Sequence, residues 1–224
     1  MAGVESESKE IREIIDAGRQ IISKNLTWGT SGNISARGEN GEIYITASGT
    51  VLGDLSREDI LTVKQDGTVS GQGKPSKESG MHRAVYAKRP DVQAVVHASP
   101  FFTTLCSSSD IKVEPNLFIE AMYYLSAVAY VDYYHAGSAE LARAVADVCP
   151  EADVIFMRNH GVIICGSSMK EAMCALEIVE NVCRMNVLAN AGKFKLMPVG
   201  EETVTDFLEG GYYRPVKKTI LSWK

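Results

Sequence analysis

The spacing of hydrophobic and polar residues predicts a helix followed by short strands in the first part of the chain. Isoleucines recur at helical spacing within residues 5–24, which predicts an amphipathic helix. Short apolar segments at 43–45, 61–63 and 68–69 predict strands, and an Asp-Gly turn joins the last two into a hairpin. This region is therefore expected to be strand-rich and antiparallel.

The middle of the chain predicts a helix and then a buried strand. The helix is expected to start at Pro75-Ser76, where the Ser76 hydroxyl can cap the first turn. It is expected to end at Arg89, because a residue that precedes proline is disfavoured in helical geometry. The apolar segment 92–96 then predicts a strand with His97 at its end.

The remaining segments continue this mixture of helices and strands, and residues from about 193 to 224 form a tail without a clear pattern. We predict helices at 101–106, 115–125, 138–146 and 168–191, and strands at 128–134, 154–157 and 162–165. Because no repeat or linker interrupts them, we expect a single α/β domain over residues 1–224. Its helices should flank a central, mainly antiparallel sheet.

Composition and charge exclude several classes of protein. The chain has 224 residues and a net charge of −5, so a nucleic-acid surface built on bulk positive charge is not expected. It contains neither an apolar run long enough to span a membrane nor the start of a secretory signal peptide. Its five cysteines form no CxxC pair and are expected to be reduced. These observations predict a cytoplasmic protein.

The segment 75–99 brings together residues that can perform chemistry. Glu78 lies in the first turn of the predicted helix and His97 ends the predicted strand. Taken singly, Glu78 can simply favour the helix dipole, and His97 can be a hydrogen-bonded core residue. Together, glutamate and histidine are a common metal-binding and acid/base pair. His160, in a turn between two later strands, is a candidate for binding the same metal ion as Glu78 and His97.

Three loops of small, hydrogen-bonding residues, at 30–35, 46–50 and 75–77, are candidates for anion binding. Such loops bind anions through backbone N–H groups and hydroxyls, and Lys77 adds a positive charge. Each loop taken alone can also be an ordinary turn. None of them is a Walker-type or dinucleotide fingerprint, so ATP and NAD are not expected. A phosphate or carboxylate on a small substrate fits better.

In their order and spacing, these motifs resemble the class II aldolase/adducin family from about residue 8 to residue 192. The segments that carry the resemblance are Thr30-Ser31-Gly32-Asn33-Ile34-Ser35, Ile45-Thr46-Ala47-Ser48-Gly49-Thr50, Pro75-Ser76-Lys77-Glu78 with His82, Arg89-Pro90-Asp91, Ala94-Val95-Val96-His97, Gly137-Ser138-Ala139-Glu140-Leu141 and Asn159-His160-Gly161-Val162. The resemblance implies an α/β/α domain and a homotetramer with active sites between subunits. It also implies a divalent-metal-dependent lyase that cleaves a C–C bond of a sugar-phosphate type of hydroxy-carbonyl substrate through a metal-stabilised enediolate.

The resemblance also assigns roles to individual residues. Glu78 matches the catalytic acid/base, and His97 and His160 match two of three zinc-ligating histidines. The residues expected to bind the substrate or its phosphate are Gly32, Asn33, Ser48, Gly49, Ser76, Lys77 and Ser99. Lys77 stands where the family often has a small hydroxyl residue.

Two positions depart from the family pattern. Ser99 replaces the second histidine of the usual His-x-His. Phe118 falls where aldolases have a tyrosine that contributes to the active site of the neighbouring subunit. His135 is a candidate for the missing ligand, and Glu78 is another. Zinc is the expected ion, although two histidines and a carboxylate also suit iron or manganese.

Other reactions on the same fold stay open, namely decarboxylation, dehydration and epimerisation. A non-catalytic, adducin-like scaffold is the alternative from a different class of protein. His82, one helical turn after Glu78, is expected to have a supporting role.

Overall fold

A single mixed sheet organises the part of the chain described by the computed structural model, which comprises residues 8–212 and the backbone of 219–220. Its strands are β1 (Asn33–Arg37), β2 (Ile43–Thr46), β3 (Ile60–Val63), β4 (Val69–Ser70), β5 (Ala94–Ala98), β6 (Ala127–Val131), β7 (Val154–Met157), β8 (Gly161–Gly166) and β9 (Thr219–Ile220). They lie in the order β4-β3-β2-β1-β5-β8-β7-β6-β9. All neighbours from β4 to β7 are antiparallel, whereas β6 runs parallel to β7 and β9. The predicted mainly antiparallel sheet is confirmed.

Helices cover both faces of this sheet. They are α1 (Lys9–Ser23), α2 (Ser79–Lys88), α3 (Phe101–Ser107), α4 (Ile119–Tyr124), α5 (Ala139–Val148), α6 (Met169–Ala191) and α7 (Glu201–Glu209). One buried hydrophobic cluster joins the sheet to α2 and α5, and a second joins its other face to α1, α3, α4 and α6. The predicted α/β/α architecture is therefore confirmed. Among the described residues, no helix is both long enough and apolar enough to cross a membrane.

Strand alternation assigns the polar residues of β1 and β5 to one face of the sheet. Ile34 in β1 and Val96 in β5 pack into the cluster beneath α1 and α6. Because successive side chains of a strand point to opposite faces, Asn33, Ser35 and His97 face the layer that contains α2. The site is built on that face.

The helix after Pro75 begins later than its sequence predicts. Pro75 forms a β-bridge with Ala47, and the Ser76 N–H donates to the carbonyl of Thr46, so this segment is extended. The helix therefore starts at Ser79, with Glu78 as its N-cap residue. The prediction that Ser76 caps the first turn is wrong, because its hydroxyl accepts from the Glu78 N–H in the preceding turn, 3.2 Å away.

Other boundaries also differ from the predicted ones. Strand β6 ends at Val131 instead of residue 134, and an exposed loop follows it. Helix α4 begins at Ile119 instead of residue 115, with Phe118 half-buried against the core. The unassigned tail contains α7. Residues 1–7, 213–218 and 221–224 lie outside the described residues, and the single domain over 1–224 stays a prediction.

Side chains buried in the central strand β5 should contribute more to the free energy of unfolding than side chains in the edge strand β4. Val95 is fully buried in β5, whereas Val69 lies largely exposed in the edge strand β4. We expect Val95→Ala to lower the free energy of unfolding by about 2–3 kcal/mol, through two buried methyl groups and the cavity they leave. The matched change Val69→Ala should cost less than about 0.5 kcal/mol. Urea denaturation measures both, and equal losses would contradict this view of the core.

Candidate metal centre and substrate cavity

Antiparallel pairing gathers residues that are distant in sequence at one end of β5. His97 lies near the C-terminal end of β5 and is paired with Asn33, the first residue of β1. On the other side, Ala98 is paired with Val162 near the start of β8, so His160 precedes that strand at the same sheet end. Glu78 enters from the α2 side as the N-cap of that helix.

These residues converge on a small group of potential metal ligands. Glu78 Oε2 lies 3.3 Å from His97 Nε2, and Glu78 Oε1 lies 3.3 Å from His160 Nε2. The two imidazole rings meet edge to face, with their centroids 4.8 Å apart. One ligand atom from each residue falls within 4.8 Å of the other two. The structure therefore brings Glu78, His97 and His160 together.

The main chain orients the His97 ring toward this group. His97 Nδ1 lies 3.0 Å from the carbonyl oxygen of Val162. A carbonyl can only accept, so Nδ1 carries the proton and donates it in this bond. Nε2 is thereby directed at Glu78, and a backbone carbonyl that holds the far nitrogen is a usual support for a metal-binding histidine.

The Glu78 carboxylate is buried and incompletely satisfied. Its Oε2 accepts a hydrogen bond from Asn33 Nδ2 at 2.9 Å, but its Oε1 is buried without a hydrogen-bond partner among the described residues. Burial raises the pKa of Glu78, yet His97, the Asn33 hydrogen bond and His160 together outweigh it, so its pKa falls below the usual value. Burial, aided by His97, lowers the pKa of His160 to about 4 against the opposing effect of Glu78.

At neutral pH the group therefore contains an ionised carboxylate and a neutral His160. A buried carboxylate with one oxygen that accepts no hydrogen bond is unfavourable unless a cation lies beside it. Oxygen and imidazole nitrogen are both common zinc ligands. The residues present thus fit a divalent metal ion.

Neither Ser99, which stands in place of the usual second histidine, nor His135, the candidate for the missing ligand, belongs to this group. Ser99 Oγ donates to the carbonyl oxygen of His160 at 3.1 Å, so its hydroxyl holds the main chain next to a ligand. The side chain of His135 is exposed, and its Nδ1 lies 3.2 Å from the Tyr133 hydroxyl. The structure does not bring His135 to Glu78, because β6 ends early and His135 falls in the following exposed loop.

A cavity of about 470 Å³ opens above the three converging residues. All three small-residue loops contribute to its wall. The predicted substrate-binding residues that line it are Gly32, Asn33, Ser48, Gly49, Ser76, Lys77 and Ser99. All seven residues that the sequence analysis selected for substrate or phosphate binding therefore lie in the cavity wall.

Backbone contacts explain why these loops lie side by side. The Ser48 N–H donates to the carbonyl of Lys74, which joins the second loop to the third. Gly32 has φ +89°, and a Cβ there would lie only 2.8 Å from the carbonyl oxygen of His97. Only glycine lets the first loop approach β5 this closely.

Sequence reasoning missed several wall residues, including Trp28, Thr104 and Asn159. Trp28 is a large, half-exposed aromatic next to the first loop. Asn159 has φ +55°, a conformation that asparagine tolerates, and its position directly before His160 was the available signal. The burial of Thr104 Oγ1 without a partner among the described residues has no counterpart in the sequence.

Comparison with known proteins decides the family. The model of the class II aldolase and adducin N-terminal domain matches residues 12–187. The chain belongs to the class II aldolase/adducin family. The resemblance inferred from the loop and histidine motifs is confirmed.

Named relatives of this class II aldolase-family chain are lyases. L-fuculose phosphate aldolase of Methanocaldococcus jannaschii is 33% identical over 177 residues, which cover 79% of this chain and 95% of that protein. 3-Oxo-tetronate 4-phosphate decarboxylase of Haemophilus influenzae is 30% identical, covering 77% and 84%. A solved structure of L-fuculose 1-phosphate aldolase has a TM-score of 0.79 at 26% identity, covering 93% and 98%. The chain is an aldolase-family lyase.

Metal content should depend on the convergent histidines and not on the exposed one. We expect His160→Ala to lower the amount of bound divalent metal by about tenfold or more, because it removes an imidazole from the buried group. His135→Ala is the same substitution at an exposed ring and should leave the metal content within about twofold of wild type. Metal analysis after equilibrium dialysis measures both variants. A loss in His135→Ala equal to that in His160→Ala would show that His135 is the missing ligand.

Proposed function

We propose that this chain is a divalent-metal-dependent aldolase that cleaves a C–C bond in a small hydroxy-carbonyl compound of the sugar-phosphate type. The observation that carries the proposal is the convergence of Glu78, His97 and His160 at the base of a cavity walled by small-residue loops. The names of the relatives support the same reaction class.

In this proposal His97 and His160 hold the ion through their Nε2 atoms, and Glu78 lies beside it. The ion supplies a Lewis acid that stabilises negative charge as it develops on the substrate oxygens. Zinc is proposed because it accepts imidazole and carboxylate ligands in an open, four-coordinate site. Two histidines and one carboxylate also suit iron(II) and manganese, and metal analysis of the purified protein distinguishes these ions.

Glu78 is proposed to move the proton that C–C cleavage requires. Asn33 holds Oε2, while Oε1 is not hydrogen-bonded by any described residue and is the oxygen left to exchange a proton. The lowered pKa of Glu78 keeps its carboxylate ionised at neutral pH, so that it is free to accept a proton. It can take a proton from a substrate hydroxyl and return one to the carbon that carries the electron pair after cleavage.

The substrate phosphate is proposed to bind among the three loops. Their small residues let the anion approach backbone N–H groups and the hydroxyls of Ser48 and Ser76, and Lys77 brings a positive charge to the same wall. Ser99 lines the same cavity beside His160 and is proposed to contact the reacting part of the substrate.

Decarboxylation is the second candidate reaction. A decarboxylase of a phosphorylated oxo acid is among the relatives that are 30% identical. Lys77 gives the cavity a cation where the family often has a hydroxyl, and a second anionic group on the substrate would pair with it. Both reactions leave an electron pair on carbon beside a carbonyl, so one site can support either of them.

We further propose a homotetramer in the cytoplasm, with active sites between subunits. Large exposed apolar side chains, among them Phe101, Ile119 and Leu188, support an interface between copies. All five cysteines are free thiols, which fits a reducing compartment. Small phosphorylated molecules are the proposed partners, and neither nucleic acid nor membrane is expected.

Replacing Glu78 by glutamine tests the reaction itself. Glu78→Gln keeps the shape of the side chain but removes its basicity, so kcat should fall by about 100-fold or more while bound metal stays near the wild-type level. Activity is measured on L-fuculose 1-phosphate and 3-oxo-tetronate 4-phosphate with added zinc, manganese or iron(II). Turnover within about threefold of wild type would rule out Glu78 as the acid/base. Wild-type protein with neither metal nor activity would instead favour the scaffold.

Replacing Lys77 tests phosphate binding. Lys77→Met removes a cation from the cavity wall and should raise KM for the phosphorylated substrate by about tenfold, with a smaller change in kcat. Lys74→Met is the matched control, since Lys74 is exposed three residues earlier and does not line the cavity. Steady-state kinetics separates the two variants, and equal KM values would remove Lys77 from the phosphate site.

A further inference from the structure

A buried row of hydrogen bonds runs from Glu78 through Asn33 into the layer between β1 and α2. His82 Nε2 is 2.6 Å from Asn33 Oδ1, and His82 Nδ1 is 2.6 Å from Ser35 Oγ. Ser35 Oγ in turn is 2.9 Å from the Tyr86 hydroxyl. None of the four side chains that form this row is more than 6% exposed. Bulk water is therefore not available to replace any of these bonds.

The donor and the acceptor in each hydrogen bond of the row can be assigned, starting from the Glu78 carboxylate. An ionised carboxylate only accepts, so the Asn33 amide must present its NH₂ group to Glu78 and its oxygen to His82. His82 Nε2 then has to be the donor to that oxygen. Burial, together with His97, lowers the pKa of His82 to about 3 against the effect of Glu78, so the ring is neutral and Nδ1 is an acceptor.

The far end of the row is fixed in the same way. Because His82 Nδ1 accepts, the Ser35 hydroxyl donates to it, and the Tyr86 hydroxyl then donates to Ser35. Each group thus donates toward Glu78, from Tyr86 through Ser35, His82 and Asn33. A turned-over Asn33 amide would place its oxygen against the carboxylate and its NH₂ against the His82 N–H, which loses both bonds.

We propose that His82 is a positioning residue that locks the Asn33 amide, so that Asn33 holds Glu78 Oε2 and Oε1 alone is left for proton transfer. This inference rests on the proposed function, since it assigns the proton to one oxygen of Glu78. His82 acts through Asn33, because its only contacts in the row are with Asn33 and Ser35.

Two substitutions at residue 82 separate the effect of the hydrogen-bond donor from the effect of side-chain volume. His82→Gln keeps an N–H donor at similar reach, whereas His82→Leu keeps the volume but removes the donor. We expect His82→Leu to lower kcat by about 10- to 100-fold with little change in KM, the range found for groups that orient active-site ligands. His82→Gln should recover most of this loss.

The control for helix stability is Val85→Ala, which removes buried methyl groups from the same helix without touching the row. Its kcat should stay within about threefold of wild type at a temperature where all the variants are folded. Equal kcat losses in Val85→Ala and His82→Leu, or no difference between His82→Gln and His82→Leu, would overturn the proposal.

A spectroscopic measurement tests the bond directions without substrate or metal. Long-range ¹H–¹⁵N correlation of the imidazole nitrogens should show His82 neutral, with its proton on Nε2 and none on Nδ1. A proton on Nδ1 with none on Nε2 would overturn the proposal even if every variant failed to fold. Absence of lyase activity in the wild type would refute the proposed function, while this spectrum would still decide the orientation of the row.

Discussion

The buried negative charge of Glu78 is the constraint around which the site is arranged. A carboxylate removed from water is strongly destabilising unless donors or cations surround it. The fold supplies one donor, the Asn33 amide, and two imidazoles at 3.3 Å, yet leaves one oxygen without a hydrogen bond among the described residues. The residual charge is what a divalent ion and a substrate proton would neutralise.

The sheet makes this arrangement available because β5 lies between two antiparallel neighbours. Its C-terminal end therefore meets the N-terminal ends of β1 and β8, and residues from three parts of the sequence share one sheet edge. Strand alternation directs His97 and Asn33 to the face that carries α2. The early turn at Pro75 and Ser76, held to the loop after β2, sets where α2 begins and hence where Glu78 stands.

Much of this could be predicted from the sequence, because the deciding patterns are local. Apolar periodicity located most of the strands, although β1 begins inside the predicted loop 30–35, and the small-residue loops marked the cavity wall. The start of α2 could not be predicted, since a β-bridge to Ala47 overrides the capping preference of Ser76. The place of His135 depends on where β6 ends, and strand ends are set by pairing more than by composition. The importance of His82 appears only through its contacts in space, although its spacing from Glu78 was visible.

The pairing of β5 with β8 has a consequence for the order of events during synthesis. Until residues 161–166 have left the ribosome, β5 lacks one of its two neighbours and His160 has no fixed position. The three candidate ligands therefore cannot assemble on a partial chain, and a nascent polypeptide offers the ion only isolated side chains. Binding of a metal ion, as proposed above, would then follow folding of the sheet, and the bound ion would stabilise the folded chain by mass action.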